Sequence, residues 1–188
     1  MKPMFTIHAG EYLFGSHIER KFKRVNVWVP SRDTGVDLLV SDRDNRRAVS
    51  FQVKFSRDYL VTHNRAEFQK QLRVCGFCTI NRSKLQASRA DYWVFVLPGF
   101  DFRTLDFVIV PTKELQQRLR SIHRSGATIR TYPWVTKRRR CWETRGLRKA
   151  QLLQIRDGDY RDAPRDFTKW LNTWPTAVKQ LNAWRVLA

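Results

Sequence analysis

The sequence predicts an α/β fold, in which a sheet is covered by helices on both faces. Residues 92–97 and 106–110 are continuous apolar runs, which are typical of strands buried on both faces. Residues 9–22 instead repeat an apolar side chain every four positions, which indicates an amphipathic helix. With 188 residues, of which 42% are hydrophobic and 13% aromatic, the chain can bury a core and lacks the composition of a disordered protein.

The first helix carries an acidic residue near its start. Phe14, Ile18 and Phe22 form the apolar stripe, and Glu11 lies in the first turn. A carboxylate there interacts favourably with the helix dipole, which is a sufficient structural reason for its presence. A strand follows at residues 25–29, because β-branched and aromatic side chains dominate that segment.

The next segment predicts a β-hairpin. Residues 48–55 alternate between apolar and polar side chains, with Gln52 and Lys54 on the polar face. Residues 36–40 form the partner strand, and a polar loop joins the two. The hairpin is expected to bring Asp37, at the start of the partner strand, beside both polar residues.

This cluster offers a carboxylate oxygen, an amide oxygen and an ammonium group on one surface. Such a set suits a divalent cation together with a phosphate. Each residue also has an ordinary structural explanation, a turn or cap aspartate for Asp37 and a solvated strand charge for Lys54. Asp33, just before the hairpin, is expected to be a polar turn residue, with an outer-sphere ligand as the alternative. The joint occurrence on one face favours the cation site.

Three features resemble the PD-(D/E)xK nucleases, a family of restriction, homing and Holliday-junction-resolving enzymes. They are a Gly-Glu pair in the first helix, the sequence GVDLL at residues 35–39, and Gln52-Val53-Lys54. The resemblance covers roughly residues 10–59. It implies a restriction-endonuclease-like sandwich, in which helices flank a central mixed β-sheet. Gln52 stands where the commoner family pattern has Glu, as in a recognised subset.

The resemblance also implies roles for the individual residues. Asp37, Gln52, Glu11 and the backbone carbonyl of Val53 are expected to hold one or two Mg²⁺ ions, for which Mn²⁺ is expected to substitute. Glu11 supplies the second carboxylate that a hard divalent cation usually needs. Lys54 is expected to stabilise the attacking hydroxide or the charge on the phosphorane. The expected activity is that of a Mg²⁺-dependent DNA endonuclease, whose product carries a 5′ phosphate.

A non-catalytic nucleic-acid-binding protein that retains the nuclease fold is the alternative function. Gln52 favours it, because an amide carries no charge and, of the hairpin residues at the expected site, leaves Asp37 as the only carboxylate near the cation. Substitution of Gln52 by Glu distinguishes the two functions, since it should raise cleavage in a weak nuclease and have no effect in a pure binder.

A second helix is predicted to begin near Asn64, with Phe68 and Leu72 facing the sheet. The nuclease resemblance places a basic or glutamine-bearing helix here, close to substrate phosphates. Gln69 and Lys70 are therefore candidates for nucleic-acid binding, although most exposed helical Lys and Gln residues have no specific role.

Two later elements complete the α/β pattern. Residues 77–80 are predicted to form a strand. A helix is then predicted from Thr112, as its N-cap, and an apolar stripe runs along it through Leu115, Leu119 and Ile122.

The net charge predicts a polyanionic partner. Lys and Arg number 36 against 17 Asp and Glu, a formal charge of +19, so DNA is expected before an anionic membrane surface. The excess is concentrated from residue 118 to residue 149, where aromatic side chains are set between the cations. The best candidates for contacts with nucleic acid are Lys137, Arg138, Arg139 and Arg140, although a charge run is more often a solvated face.

The chain is expected to have two parts. Residues 1–125 form a core that the resemblance implies is nuclease-like, and the composition marks residues 126–188 as a basic, Trp-rich C-terminal extension. Trp170, Trp174 and Trp184 accompany short helical patterns and are expected to pack on the core or on a second subunit. A homodimer is expected if paired strands are cut, because one site hydrolyses one strand.

The three cysteines, Cys75, Cys78 and Cys141, do not make a disulfide framework. The first two form a Cys-x-x-Cys pair, which could hold zinc or an iron–sulfur cluster only with further ligands. Small apolar residues are the favoured interpretation.

No membrane association is expected. The longest apolar run is far shorter than the ~18 residues of a spanning helix. The first fourteen residues lack the apolar stretch of a signal peptide, so a cytoplasmic location is expected.

Overall fold

The computed structural model describes residues 8–32, 35–58, 66–101 and 103–183. Its helices are α1 (Ala9–Lys21), α2 (Ala66–Gln69), α3 (Arg82–Gln86), α4 (Thr112–Ile122), α5 (Lys149–Asp157) and α6 (Thr176–Ala183). Its strands are β1 (Val25–Trp28), β2 (Leu38–Asp42), β3 (Ala48–Phe55), β4 (Arg57–Asp58), β5 (Leu72–Asn81), β6 (Tyr92–Pro98), β7 (Leu105–Pro111), β8 (Thr128–Thr131), β9 (Pro133–Thr136) and β10 (Cys141–Glu143). Within those residues, no helix has the length and apolarity needed to cross a bilayer.

The first sheet is mixed and has the strand order β1-β2-β3-β6-β7. Strands β1, β2 and β3 form an antiparallel meander, β6 runs parallel to β3, and β7 returns antiparallel to β6. The predicted α/β class, the first helix and the hairpin are therefore confirmed. Phe14 of α1 packs against Phe51 and Trp174 on one face of this sheet. Leu115 of α4 packs on the opposite face.

The second sheet was not predicted from the sequence. Its order is β10-β9-β5-β4, and β8 also pairs with β5, always antiparallel. The prediction that Leu72 lies on a helix was wrong, because the helix ends at Gln69 and Leu72 begins β5. Long-range pairing with β9 and β8 overrides the local helical pattern. The expected helix start at Asn64 lies outside the described residues.

A buried serine joins the two sheets. The chain leaves β3 and enters β4 through Ser56, which is fully buried. Its backbone N–H donates to the carbonyl of Val96 in the first sheet, over 3.0 Å. Its Oγ accepts from the backbone N–H of Phe77 in the second sheet, over 2.7 Å. A Cβ at Gly76 would lie 2.6 Å from this Oγ, so only glycine allows the close approach.

The helix that follows β7 begins differently from the prediction. Pro111 is its N-cap and Thr112 does not cap it, because the Thr112 hydroxyl donates to the carbonyl of Ala90 instead. The predicted apolar stripe is confirmed, since Leu115 and Leu119 are buried and Ile122 is partly buried against the same core.

The C-terminal part of the chain contributes to both cores. Trp174 stacks on Phe14, with ring centroids 5.6 Å apart, and meets Phe22 edge-on at 5.0 Å. Trp170 is buried beneath the guanidinium of Arg118, which lies 4.6 Å from the ring centroid. These two tryptophans are therefore packed within their own chain and provide no exposed surface for the expected homodimer. Trp184 lies outside the described residues.

The expected boundary at residue 125 falls within shared structure. Strands β8, β9 and β10 belong to the expected C-terminal extension, and they complete a sheet with β5 of the expected core. The basic segment, residues 118–149, is likewise part of the folded structure, because it runs from α4 through β8, β9 and β10 to the start of α5.

A buried acidic residue holds the basic segment together. Glu143 is 3% exposed and accepts hydrogen bonds from the backbone N–H groups of Tyr132 and Arg145. The guanidinium of Arg165 lies 3.0 Å from its Oε2, and Nε2 of His123 lies 3.6 Å from the same oxygen. Burial raises the pKa of Glu143 from 4.5 to about 7. Burial, reinforced by the charge of Arg165, lowers the pKa of His123 from 6.5 to about 4.

These opposite shifts predict opposite pH dependences of stability. Between about pH 4.5 and 7 the folded protein holds a proton on Glu143 that the unfolded chain has released, so the free energy of unfolding falls as pH rises. Between about pH 4 and 6.5 the unfolded chain holds a proton that folded His123 has released, so the free energy of unfolding rises with pH. In the parent protein the two effects oppose each other over most of this range.

We therefore expect Glu143→Gln and His123→Gln to tilt the pH profile in opposite directions. Glu143→Gln leaves the histidine effect, so its stability should rise from pH 4.5 to 6.5 relative to the parent. His123→Gln leaves the glutamate effect, so its stability should fall over the same range. Urea unfolding at several pH values measures both slopes, and slopes of the same sign would contradict the assignment.

Candidate functional site

A cleft of about 1090 Å³ is bounded by the two sheets, the start of α1, and α3. Its lining includes every residue that the nuclease resemblance implicates in chemistry, namely Glu11, Asp37, Gln52, Val53 and Lys54. They come from three elements that are separated along the chain, the first turn of α1, the residue before β2, and β3.

Asp37 is held by the neighbouring strand through three hydrogen bonds. Its backbone N–H donates to the carbonyl of Phe51 over 2.8 Å, which extends the β2–β3 ladder by one residue. Its Oδ2 accepts from the backbone N–H of Val53 over 2.7 Å and from Nε2 of Gln52. Asp37 is only 6% exposed, so these bonds fix the carboxylate in one orientation at the edge of the cleft.

The side chain of Gln52 complements Asp37 in a way that a glutamate would not. Its amide Nε2 donates to Asp37, and its Oε1 is turned towards Gly35, whose added Cβ would lie 3.9 Å from that oxygen. A glutamate at this position would place two like charges side by side and would need a bound cation to offset their repulsion. The amide therefore stabilises the Asp37 carboxylate without a cation, and it still presents an oxygen.

Lys54 lies on the same face of β3 as Gln52, as the alternation predicted. It is partly buried, and its Nζ lies 5.6 Å from the ring centroid of Trp93, which is itself 2% exposed. Trp93 pairs with Gln52 across the parallel β3–β6 ladder. The aromatic ring thus supports the ammonium group at the floor of the cleft.

Glu11 reaches the cleft because α1 approaches β3 very closely. The contact is made through Gly10, where an added Cβ would lie 2.7 Å from Cβ of Phe55. Glu11 is 4% exposed and faces the same cleft as Asp37. A carboxylate that only stabilised the helix dipole would not need this burial.

The residues predicted to bind nucleic acid lie elsewhere. Lys137, Arg138 and Arg139 are exposed in the turn between β9 and β10, and Arg140 precedes β10. The backbone N–H of Lys137 donates to the carbonyl of Gln71 over 2.8 Å. That contact brings the turn beside exposed Lys70, so the two predicted basic groups are neighbours. The side chain of Gln69 lies outside the described residues.

Several cations of this run already have partners. Arg138 donates to the carbonyl of Asp157 over 2.9 Å, and Arg139 lies 3.6 Å from the buried carboxylate of Asp106. Arg140 pairs with Asp166 at 3.0 Å and stacks on Trp142. The acidic partners come from outside the run, which is why the local sequence suggested that its charges were uncompensated.

Neither group lines the cleft. The pairing of Leu72 with Thr136 places the turn near the start of β5, whereas Asn81 at the end of β5 lines the cleft. Leu72 and Asn81 are nine residue steps apart along β5, a span of roughly 30 Å.

The sequence did not identify four other lining residues, Thr79, Asn81, Lys84 and Trp93. The start of α3 has a local sequence signal, because asparagine is a preferred N-cap residue. Oδ1 of Asn81 accepts from the backbone N–H of Lys84 over 3.0 Å in that position. That α3 borders the cleft depends on how β5 pairs with strands some fifty residues later, and no local pattern records that pairing.

The cysteines behave as apolar residues. All three are free thiols and buried, and Cys75 and Cys78 belong to different cores on opposite faces of β5. Burial raises the pKa of Cys78 to about 12 and also raises the pKa of Cys141. In the ranges that the structure describes, no group of three or more His, Cys, Asp and Glu side chains could hold a metal ion. The candidate ligands in the cleft include the two carboxylates of Glu11 and Asp37 and the amide oxygen of Gln52.

We expect Gly10→Ala to lower the melting temperature, because its Cβ would push α1 away from Phe55 of β3. Gly15→Ala in the same helix is the matched control. There the added Cβ would meet Cγ1 of Val27 at 3.4 Å, an ordinary contact, and alanine is the better helix former by up to about 1 kcal/mol. Thermal unfolding of both variants measures the difference, and a Gly10→Ala protein as stable as Gly15→Ala would contradict the packing assigned here.

The cleft combines oxygen donors, a lysine ammonium group and an open entrance in one place. Oxygen donors of this kind suit hard divalent cations, and the ammonium suits an anionic substrate. Comparison with known proteins gives no significant match to a family model, a curated protein or a solved structure.

Proposed function

We propose that this protein is a Mg²⁺-dependent DNA endonuclease that hydrolyses phosphodiester bonds, with Mn²⁺ able to substitute. The observation that carries the proposal is the position of Asp37, which is fixed by Gln52 and Val53 in a cleft that Glu11 and Lys54 also line. A turn or cap aspartate would not need to meet a second carboxylate and a lysine in a large cleft.

The donor set fits a hard divalent cation. Both hydrogen bonds to the Asp37 carboxylate that the described residues make end on Oδ2, so Oδ1 remains available as a ligand. Oε1 of Gln52, the carboxylate of Glu11 and the carbonyl of Val53 complete a set made only of oxygens. When bound, the cation supplies a Lewis acid that lowers the pKa of a water molecule and offsets charge on the phosphate.

The remaining chemistry belongs to the side chains. Lys54 places an ammonium group where it can neutralise the charge that develops on the phosphate oxygens in the transition state. Trp93 beneath it limits the positions that the flexible lysine can adopt. Glu11 and Asp37 together balance the positive charge of the cation, which Asp37 would otherwise face alone.

The topology supports a restriction-endonuclease-like fold as part of the same proposal. Helix α1 precedes the antiparallel meander β1–β2–β3, and β6 adds to β3 in parallel. The candidate residues lie at the start of β2 and near the end of β3, the arrangement that the sequence resemblance implies. The second sheet is then an addition to this core, and DNA is the partner that the charge of +19 favours.

A non-catalytic DNA-binding protein with the same fold is the second candidate. Two observations favour it, the neutral Gln52 and the hydrogen bond by which its amide satisfies Asp37 without a cation. Such a protein would keep the cleft and its positively charged side chains while binding metal weakly.

We expect Asp37→Asn and Lys54→Ala to reduce metal-dependent cleavage of labelled DNA by at least about 100-fold, because each removes a charge that acts on the transition state. DNA affinity and the circular dichroism spectrum should change little. Asp44→Asn and Lys179→Ala are matched controls, since both residues are exposed and lie outside the cleft. Either cleft variant cutting as fast as its control would show that the residue is misassigned.

Gln52→Glu separates the two candidate functions. In a nuclease, the added charge should tighten metal binding and raise cleavage, and stability without metal should fall because two carboxylates then face each other. The readouts are cleavage rate and the increase in melting temperature on adding Mn²⁺. A variant that cleaves nothing and gains no stabilisation from Mn²⁺ would favour the binding protein.

A further inference from the structure

One wall of the cleft is formed by alternate residues of β5. Thr79 and Asn81 are exposed and line the cleft, whereas Cys78 and Ile80 are buried in the core behind them. Asn81 also caps α3 and thereby places Lys84, a third lining residue, at the same end of the wall. The outer face of this strand end is therefore polar and accessible.

Strand β8 extends this wall beyond the cleft. Thr79 pairs with Arg130 across the antiparallel ladder, and Asn81 pairs with Thr128. Side chains of directly opposed residues lie on the same face of a sheet. Arg130 is exposed while its neighbour Ile129 is buried, which agrees with this orientation. The guanidinium of Arg130 therefore stands on the same surface as the cleft wall.

An aromatic pair with a third cation lies next along the same face. Phe77 shares the face of Thr79 because the two are two residues apart in β5. Its ring lies 5.4 Å from that of Tyr132, which follows β8. The guanidinium of Arg145 covers the Tyr132 ring at 5.4 Å and donates to the Tyr132 hydroxyl over 3.3 Å. Cations and aromatic rings thus alternate on this surface, the combination that nucleic-acid-binding proteins use.

The charges on this surface differ from those of the turn between β9 and β10. Within the part of the chain that the structure describes, Lys84 and Arg130 form no ion pair, whereas Arg139 and Arg140 have carboxylate partners. The acidic residues among those that line the cleft are Glu11 and Asp37, both candidate cation ligands. The wall is therefore a positively charged surface that leads to the proposed catalytic residues.

We propose that the outer face of β5 and β8, from Lys84 through Arg130 to Arg145, binds the sugar–phosphate backbone of the DNA whose scissile phosphate enters the cleft. The proposal rests on the proposed function for the position of the scissile phosphate, but binding along the wall does not require cleavage. From Asn81 to Phe77 the wall is about 13 Å long. This length matches about four nucleotide steps of a duplex.

The test measures binding of a fluorescent 20-base-pair duplex by anisotropy, with a chelator present so that cleavage plays no part. For Lys84→Ala/Arg130→Ala we expect the slope of log K against log salt to fall by about 1.8, because two phosphate contacts are lost. At 0.15 M salt this corresponds to roughly 30-fold weaker binding. Arg46→Ala/Lys179→Ala is the matched control, because it removes the same charge from exposed positions outside the cleft.

Thr79→Lys tests the proposal by a gain of DNA affinity, which a loss of folding cannot produce. An added cation between Lys84 and Arg130 should raise the slope by about 0.9 and tighten binding by roughly fivefold at 0.15 M salt. The proposal is overturned if the Lys84/Arg130 variant binds like the parent, or if the control variant loses as much affinity. If both variants change the salt slope as expected but the parent cuts no DNA, the proposed nuclease activity is contradicted and DNA binding along the wall is supported.

Discussion

The hydrogen bonds between Asp37 and β3 are the contact on which the cleft depends. Oδ2 of Asp37 accepts from the backbone of Val53 and from the amide of Gln52, so the carboxylate and the strand that carries Lys54 have one relative position. A shift of the β2–β3 register by one residue would move Gln52 and Lys54 to the face that packs against Phe14 of α1. The register that buries the core is therefore the same register that assembles the candidate site.

Two close contacts then determine the walls around this strand pair. Gly10 brings α1 against Phe55 and carries Glu11 into the cleft, and Ser56 ties the end of β3 to Gly76 and Phe77 of the second sheet. Without a Cβ at Gly10 and Gly76, the backbones can approach to distances that other residues would prevent. Two glycines and one buried hydroxyl therefore determine how closely α1 and the second sheet approach the end of β3.

The sequence predicted the hairpin and its polar face because the period of a strand is local. Apolar and polar side chains alternate within the eight residues 48–55, which puts Val53 and Lys54 on opposite faces of the strand. Asp37 follows Gly35, a residue that marks a turn in the sequence. The second sheet was not predictable in this way, since β5 pairs with residues 128–136 and its residue Leu72 was assigned to a helix. The same long-range folding gave Arg139 its acidic partner, so the local charge run was a poor guide to which cations are paired. The burial of Trp174 agrees with the expectation that the C-terminal tryptophans pack on the core.

We propose that Asp37 and its neighbours bind a divalent cation beside a DNA phosphate. Titration of the protein with Mn²⁺, with free Mn²⁺ followed by electron paramagnetic resonance and a non-hydrolysable phosphorothioate duplex present, measures this directly. We expect each chain to bind one or two ions, and we expect Asp37→Asn to lose this binding while it keeps its fold and its affinity for the duplex. An absence of bound Mn²⁺ in the parent, or equal binding by the parent and Asp37→Asn, would contradict it.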